Sequence, residues 1–127
     1  MDPKDRRYTV EHEWVRLQDD GNAVVGITMF AQEQLGDVVF VELPKAGDRL
    51  EAAKPFGVVE SVKTASDLFA PVSGTVREVN SVLESEPEQV NIDPYGDGWL
   101  IVIQPDNAAD IDTLLTAEQY ADEIAKA

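Results

Sequence analysis

Short β-branched runs, closely spaced and cut by Gly, Pro, Asn and Asp, dominate the chain and limit what it can fold into. Trp14-Val15-Arg16-Leu17-Gln18 reads as a strand, Asp19-Asp20-Gly21-Asn22 as a turn, and Ala23 to Ile27 as the return strand of a hairpin. Asp37 to Leu43 is nearly continuous in apolar character and ends at the turn Pro44 to Asp48. Leu50 opens another short strand, and Phe56 to Val62 a longer one. Thr75 to Asn80 alternates with period two, as a half-buried strand does. The polar segment Ser81 to Glu88, interrupted by Pro87, reads as loop with a helical turn, and Gln89-Val90-Asn91 as a short strand. After the turn cluster Asp93 to Gly98, Trp99 to Ile103 is apolar throughout, which suits a strand covered on both faces. This succession predicts an all-β sandwich or barrel.

Two stretches depart from the pattern. Thr28 can cap a short helix over Met29 to Leu35, with Gly36 at the position after its end. Beyond Pro105, Ala108 to Leu115 and Ala117 to Lys126 are rich in Ala, Glu and Asp at helical spacing. Thr116 with Gln119 matches a capping box. A broken helix or helical hairpin is expected there, packed on the sheet through Ile111, Leu114, Leu115, Tyr120 and Ile124. Gly36, Gly47, Gly74 and Gly96 read as turn residues of positive φ. Trp14, Phe40, Tyr95 and Trp99 read as core or corner packing. Gly47-Asp48-Arg49-Leu50 and Gly74-Thr75-Val76-Arg77 open two loosely similar halves, which suggests two facing sheets with a hairpin tip at each end. At 127 residues a single domain is expected. Its parts are a flexible N-terminus (1–7), a β core (8–104) and a C-terminal helical segment (106–127).

Charge and composition exclude several classes of function. A formal net charge of −15 opposes binding to nucleic acid or to an anionic membrane surface. It suits solubility and partners with basic docking surfaces. There is no cysteine, hence no disulfide, thiolate metal site or cysteine nucleophile. His12 is the only histidine, which leaves zinc and a Ser-His-Asp triad without support. Neither Gly-x-Gly-x-x-Gly nor Gly-x-x-x-x-Gly-Lys occurs, so no nucleotide site is indicated. Met1 to Arg7 lacks an apolar signal core, and no apolar run approaches the roughly 20 residues that span a bilayer. A cytoplasmic protein is expected, or one of the mitochondrial matrix if a transit peptide has been removed.

One lysine stands apart from the other four. Lys63 lies between the runs Val58 to Val62 and Leu68 to Ala70, which a short polar link turns into a hairpin. Lys4, Lys45, Lys54 and Lys126 need no role beyond solubility. A lysine that acts as a base or forms a Schiff base is normally desolvated so that it loses its proton. A hairpin tip, flanked by Glu60 and Asp67, keeps it exposed and charged instead. Such a lysine is poorly placed for chemistry of its own. It is well placed to be acylated by another protein, which removes its charge and extends its reach.

Val59-Glu60-Ser61-Val62-Lys63-x-x-Ser66-Asp67-Leu68 resembles the lipoylation motif of the glycine cleavage system H proteins. The resemblance extends in order over roughly residues 8 to 104. It includes His12-Glu13-Trp14, Val25-Gly26-Ile27-Thr28 and Ala31-Gln32-x-x-Leu35-Gly36-Asp37-Val38-Val39-Phe40-Val41-Glu42-Leu43-Pro44. Ala70-Pro71-Val72-Ser73-Gly74, Glu78-Val79-Asn80 and Val90-Asn91-x-x-Pro94-Tyr95-Gly96-x-Gly98-Trp99-Leu100 complete it. One departure is Met29-Phe30, where the family often has an acidic residue and then an aromatic or His. The substitution bears on a surface near the short helix and not on Lys63.

The resemblance implies a mostly β fold, a flattened β-barrel/sandwich hybrid of the lipoyl- and biotinyl-carrier type, with a short internal helix and C-terminal helices. It implies a carrier that is not itself an enzyme, with lipoate amide-linked to Lys63 and Glu60, Ser61, Val62, Ser66 and Asp67 as the rest of the attachment motif. The implied partners are the glycine decarboxylase (P protein), the tetrahydrofolate-dependent aminomethyltransferase (T protein) and dihydrolipoamide dehydrogenase (L protein). A lipoate ligase or lipoyl transferase is needed to modify the lysine. The carrier is expected to be a monomer. The aminomethyl group carried on the arm is an amine, for which carboxylates are the natural partners. Glu13 and Asp67 are the candidates to shield it, with Glu11 and His12 as further ones. Otherwise Glu13 and Asp67 are ordinary surface acids.

Four other readings compete. A biotin carrier is expected to have methionines beside the lysine, and Val62-Lys63-Thr64 has none. A 2-oxoacid dehydrogenase lipoyl domain is expected to have aspartate where Val62 stands. An H-like protein that relays lipoate to other lipoyl-dependent enzymes has the same attachment motif. A plain interaction module has no modification at all.

Overall fold

A computed structural model describes residues 2–126. The chain runs β1 (Arg7–Tyr8), β2 (Glu13–Leu17), β3 (Ala23–Ile27), α1 (Met29–Leu35), β4 (Val38–Glu42), β5 (Arg49–Leu50) and β6 (Pro55–Ser61). It continues through β7 (Ala65–Phe69), β8 (Gly74–Val79), α2 (Val82–Ser85), α3 (Gln89–Ile92), β9 (Ile101–Pro105), a 3-10 helix (Ala108–Thr113) and α4 (Ala117–Ala125). The strands form two antiparallel sheets, a larger one in the order β1-β2-β3-β9-β8-β5 and a smaller one in the order β4-β6-β7. The two do not close into a barrel, so of the expected hybrid the sandwich character prevails. The lysine hairpin, β6–β7, belongs to the small sheet.

The main core lies between the sheets and draws Val15, Val25 and Ile103 from the large sheet and Val41, Val59 and Leu68 from the small one. A second cluster, on the other face of the large sheet, gathers Tyr8, Trp14, Val24, Val102 and Tyr120. β9 therefore faces apolar neighbours on both sides, as its uninterrupted apolar run suggested. The C-terminal segment serves both clusters: Ile111 and Leu114 join the main core, while Leu115, Tyr120 and Ile124 join the second. Its first half is a 3-10 helix, and the capping box of Thr116 and Gln119 starts α4.

Close approach rather than a turn fixes Gly26. A β-carbon there would lie 2.5 Å from the Trp14 ring, which folds over the β3 backbone. On the same side, the Arg6 guanidinium sits 4.6 Å from the Trp14 ring centroid, a cation–π distance. The two similar segments read from the sequence pair with each other, Arg49 with Thr75 and Leu50 with Gly74, although the two sheets are unequal in size.

Several expectations need correction. Gln89-Val90-Asn91 is not a strand but the single helical turn α3. Its backbone bonds close locally, Asn91 N–H to Glu88 O at 3.0 Å, which frees the Asn91 side chain for distant partners. Phe40 is 51% exposed and not core. A bulge between Val38 and Phe40 inserts one residue into the alternation, so Val39 and Phe40 both face out. Gly74 and Gly96 do not have positive φ; among the glycines Gly21, Gly36 and Gly47 do. Gly74 is needed instead because a β-carbon would meet Gln104 O at 2.4 Å.

Candidate functional site: a lysine hairpin beside an acidic cleft

The lysine hairpin is pinned by a single side chain. Ser61 Oγ accepts from Lys63 N–H and Thr64 N–H, each at 3.2 Å, and Ser61 N–H donates to Thr64 O at 2.8 Å. Ser61 thus closes the turn that carries Lys63. The tip is also tied to the body. Val62 N–H donates to Asp37 O at 3.0 Å, and Gly36 lies against the lysine chain, where a β-carbon would be 2.9 Å from Lys63 Cε. Gly36 has φ 79° and ψ −158°, a conformation open to glycine and strained for other residues. Lys63 is exposed, and its Nζ makes no hydrogen bond or ion pair among the described residues. Glu60, Val62, Ser66 and Asp67 are exposed around it.

Beside this hairpin lies a cleft of about 390 Å³. Three pieces of chain supply its walls: the link before β2, the end of β3 with α1, and the hairpin itself. Buried Ile27, Leu35, Val59 and Leu68 give it an apolar part. Glu11, His12, Glu13 and Asp67 all line it, so the consecutive Glu11-His12-Glu13 meets the distant Asp67 in one cavity with the lysine hairpin. Phe30, of the Met29-Phe30 departure, also faces this cleft, with its ring 4.8 Å from that of His12; Met29 is on the outside, 39% exposed.

Glu13 is no ordinary surface acid. It is 2% exposed. Thr9 Oγ–H donates to one carboxyl oxygen at 2.8 Å and the Phe69 N–H to the other at 3.1 Å. Burial pushes the carboxyl up to about 7, against the two hydrogen bonds, which favour the anion. Asp67 and Glu11 are exposed.

His12 is held in the left-handed region at φ 69°, uncommon for a residue other than glycine. Its Nδ1 lies 2.8 Å from the Tyr120 hydroxyl, which is in turn 2.7 Å from Thr28 Oγ1. Burial lowers the pKa of the imidazole, against the field of Glu11. Thr9, Tyr120 and Asn91 shape the site in ways the sequence does not announce: Tyr120 reads there only as packing of the C-terminal helix, and Asn91 only as a strand residue and part of the family resemblance. Asn91 Oδ1 accepts from Val38 N–H at 2.8 Å, while its amide donates to Gly36 O at 2.8 Å and to Gln32 Oε1 at 3.0 Å.

Two open sheets with a lysine at the tip of a hairpin of the smaller one define a lipoyl-type domain. The family model for the glycine cleavage H-protein matches residues 6–127. Relatives named glycine cleavage system H protein include one from Bacteroides fragilis, 60% identical over 118 residues, covering 93% of this chain and 93% of the relative. Another, from Geobacillus kaustophilus, is 58% identical over 118 residues and covers 93% and 92%. The crystal structure of a glycine cleavage system H protein from Mycobacterium marinum superposes with a TM-score of 0.90 at 45% identity, covering 98% of this chain and 99% of that one. The chain belongs to the glycine cleavage H-protein family, the lipoyl carriers of the glycine cleavage system.

Proposed function

We propose that Lys63 carries the lipoyl group and that the cleft beside it shelters the loaded arm. The observation that carries this reading is the pairing of a free, exposed lysine on a braced turn with a cavity that is part apolar and part acidic. The residues present suit the group: an apolar chain can lie along Ile27, Leu35 and Leu68, and an amine can meet Glu13 and Asp67. Amide-linked to Lys63, lipoate would supply the dithiolane chemistry for carrying an aminomethyl group between the P and T proteins, with the L protein as its oxidant. The chain's own residues present, brace and shield. Ser61 and Gly36 hold the tip out, Glu60, Ser61, Val62, Ser66 and Asp67 offer the modifying ligase or transferase its recognition surface, and no residue of the chain needs to act as an acid or base.

Glu13 matters most to shielding, because its buried carboxyl is already fixed by Thr9 and Phe69 and loses little freedom on meeting an amine. Glu11 and Asp67 add charge at exposed positions. The whole chain acts as one carrier domain and as a monomer, and its bacterial relatives support a cytoplasmic setting. Intact mass after expression with lipoate tests the attachment. A lipoyl-sized increment mapping to Lys63 and absent from Lys63→Arg is expected. A biotin-sized increment, or none, would overturn the assignment. Turnover of glycine with P, T and L proteins, lost in the same variant, tests the role in the cycle.

A further inference from the structure

We propose that Tyr120 is a positioning residue for the cleft: its hydroxyl keeps the His12 imidazole neutral, with the ring proton on Nε2, so that this wall carries no positive charge beside a cationic cargo. The proposal rests on the cleft being the shelter of the loaded arm. It begins from a count of protons. The Thr28 hydroxyl oxygen accepts from Ala31 N–H at 3.2 Å and lies 2.7 Å from the Tyr120 hydroxyl, and both residues are 0% exposed. The Thr28 proton has one acceptor within reach among the described residues, the Tyr120 oxygen. Tyr120 then gives its own proton to His12 Nδ1, 2.8 Å away. The Ala31, Thr28 and Tyr120 protons each have an acceptor in that direction, and the imidazole keeps its proton on Nε2.

The reverse direction leaves a buried hydroxyl proton stranded, at the full desolvation cost of that group. An imidazolium imposes that reverse direction, because both its nitrogens are donors. The relay therefore opposes protonation of His12 by geometry, in the same sense as burial does.

The relay is rigidly mounted. The Tyr120 ring stacks on Tyr8 with centroids 4.9 Å apart and planes 10° from parallel. The Tyr8–Leu115 bridge holds the start of α4 to β1. His12 sits at positive φ because its neighbours over-determine it. Its N–H donates to Thr9 O at 3.1 Å and its carbonyl accepts from Thr28 N–H at 3.0 Å. The groups that share the cleft with it are Glu11 and Glu13 from its own segment, Asp67 from the hairpin, and the uncharged Phe30 and Gln34 from α1; Tyr120 reaches the ring from α4. With three carboxylates and no cation of its own, the cleft suits an amine. A charged His12 would repel that amine and compete with it for Glu11 and Asp67.

The single histidine makes the test clean. Nitrogen NMR of the imidazole in the lipoylated protein is expected to show the Nε2–H form over most of the range between about pH 5 and 8. Tyr120→Phe keeps the stack on Tyr8 and removes the relay. It is expected to mix the two neutral forms and raise proton affinity about threefold, roughly half a pH unit. Thr28→Val, which breaks the relay from its far end, is expected to do the same, and Thr28→Ser to behave as the parent. In a Glu13→Gln background, which removes that carboxyl's own titration, the half-life of the aminomethyl cargo is expected to fall in acid, and Tyr120→Phe to move that fall upward by the same half unit while sparing the alkaline plateau. A parent ring protonated on Nδ1, an unmoved titration in Tyr120→Phe, or a half-life shortened equally at every pH overturns the proposal. A cargo half-life in the parent equal to that on free lipoamide overturns the shelter itself, and the titration still decides the relay.

Discussion

The Phe69 N–H donates to Glu13 Oε2 at 3.1 Å, joining the start of β2 to the return strand of the lysine hairpin across 56 residues of sequence. One buried carboxyl thus holds two walls of the cleft in register. It also makes the stability of the fold depend on pH.

Burial raises the Glu13 carboxyl from 4.5 to about 7. The folded state therefore binds this proton more tightly than the unfolded state does. The associated stability is complete below about 4.5 and is lost as pH rises through about 7. The span corresponds to roughly 3 kcal/mol. His12, whose pKa is lowered by burial, works in the opposite sense: its contribution is present above 6.5 and is lost as pH falls through its folded value. Glu13→Gln is expected to abolish the decline between weakly acidic and neutral pH and leave the His12 slope exposed. Urea unfolding at a series of pH values checks this. A decline that persists unchanged in Glu13→Gln would sink the assignment.

A cation in the cleft acts on the same equilibrium. An amine near Glu13 favours the carboxylate. The cargo-loaded carrier is expected to titrate Glu13 at lower pH than the empty one, and by linkage the cargo is held better as pH rises through that titration. Glu13→Ala and Asp67→Ala are each expected to shorten the cargo half-life several-fold. Proton release on loading, measured by calorimetry in two buffers of different ionisation enthalpy, gives the sign directly. No release near neutral pH in the parent would contradict a role for Glu13.

Gly36 lies against the lysine tip from the end of α1. Its φ of 79° with ψ of −158° strains any other residue, and an added β-carbon would push the Lys63 chain aside. Gly36→Ala is expected to cost roughly 1–3 kcal/mol from backbone strain. It should also slow lipoylation, because the added methyl group displaces the lysine chain. Chemical denaturation and the rate of the lipoyl mass increment measure the two effects separately. Wild-type values for both would refute the contact.

Local chemistry made much of this legible. α1 has the bounds that Thr28 and Gly36 suggest, since both caps act within one turn. The β2–β3 hairpin follows from Asp19 to Asn22, and Lys63 stands at a tip because its two strands are adjacent in sequence. What escaped was decided at a distance. Val90 and Asn91 have strand-forming neighbours and a strand-like pattern. They form a helical turn whose local backbone bonds leave the Asn91 side chain to Val38, Gly36 and Gln32, more than 50 residues away. Phe40 points outward because a bulge shifts the alternation by one residue, which composition does not announce. The Tyr120 hydroxyl reaches His12 from 108 residues away, so no spacing in the sequence could have paired them.

Asn91 offers the sharpest test of that long-range wiring. Its Oδ1 accepts from Val38 N–H, and its amide donates to Gly36 O and Gln32 Oε1, so one side chain clamps the end of α1 to the start of β4 beneath the lysine tip. Asn91→Ala strands the Val38 N–H on a residue that is 4% exposed, and is expected to cost roughly 2–3 kcal/mol at any pH. Asn91→Asp keeps the acceptor but sets a carboxylate oxygen against two other acceptors. Near neutral pH it is expected to cost at least as much as alanine. On acidification the carboxyl gains a proton it can donate to Gly36 O. The pKa of the introduced acid is therefore raised in the folded state, and the lost stability returns as pH falls through it. Urea midpoints of the two variants at acid and neutral pH separate the cases. Parallel midpoints at both would mean that the amide donations contribute nothing.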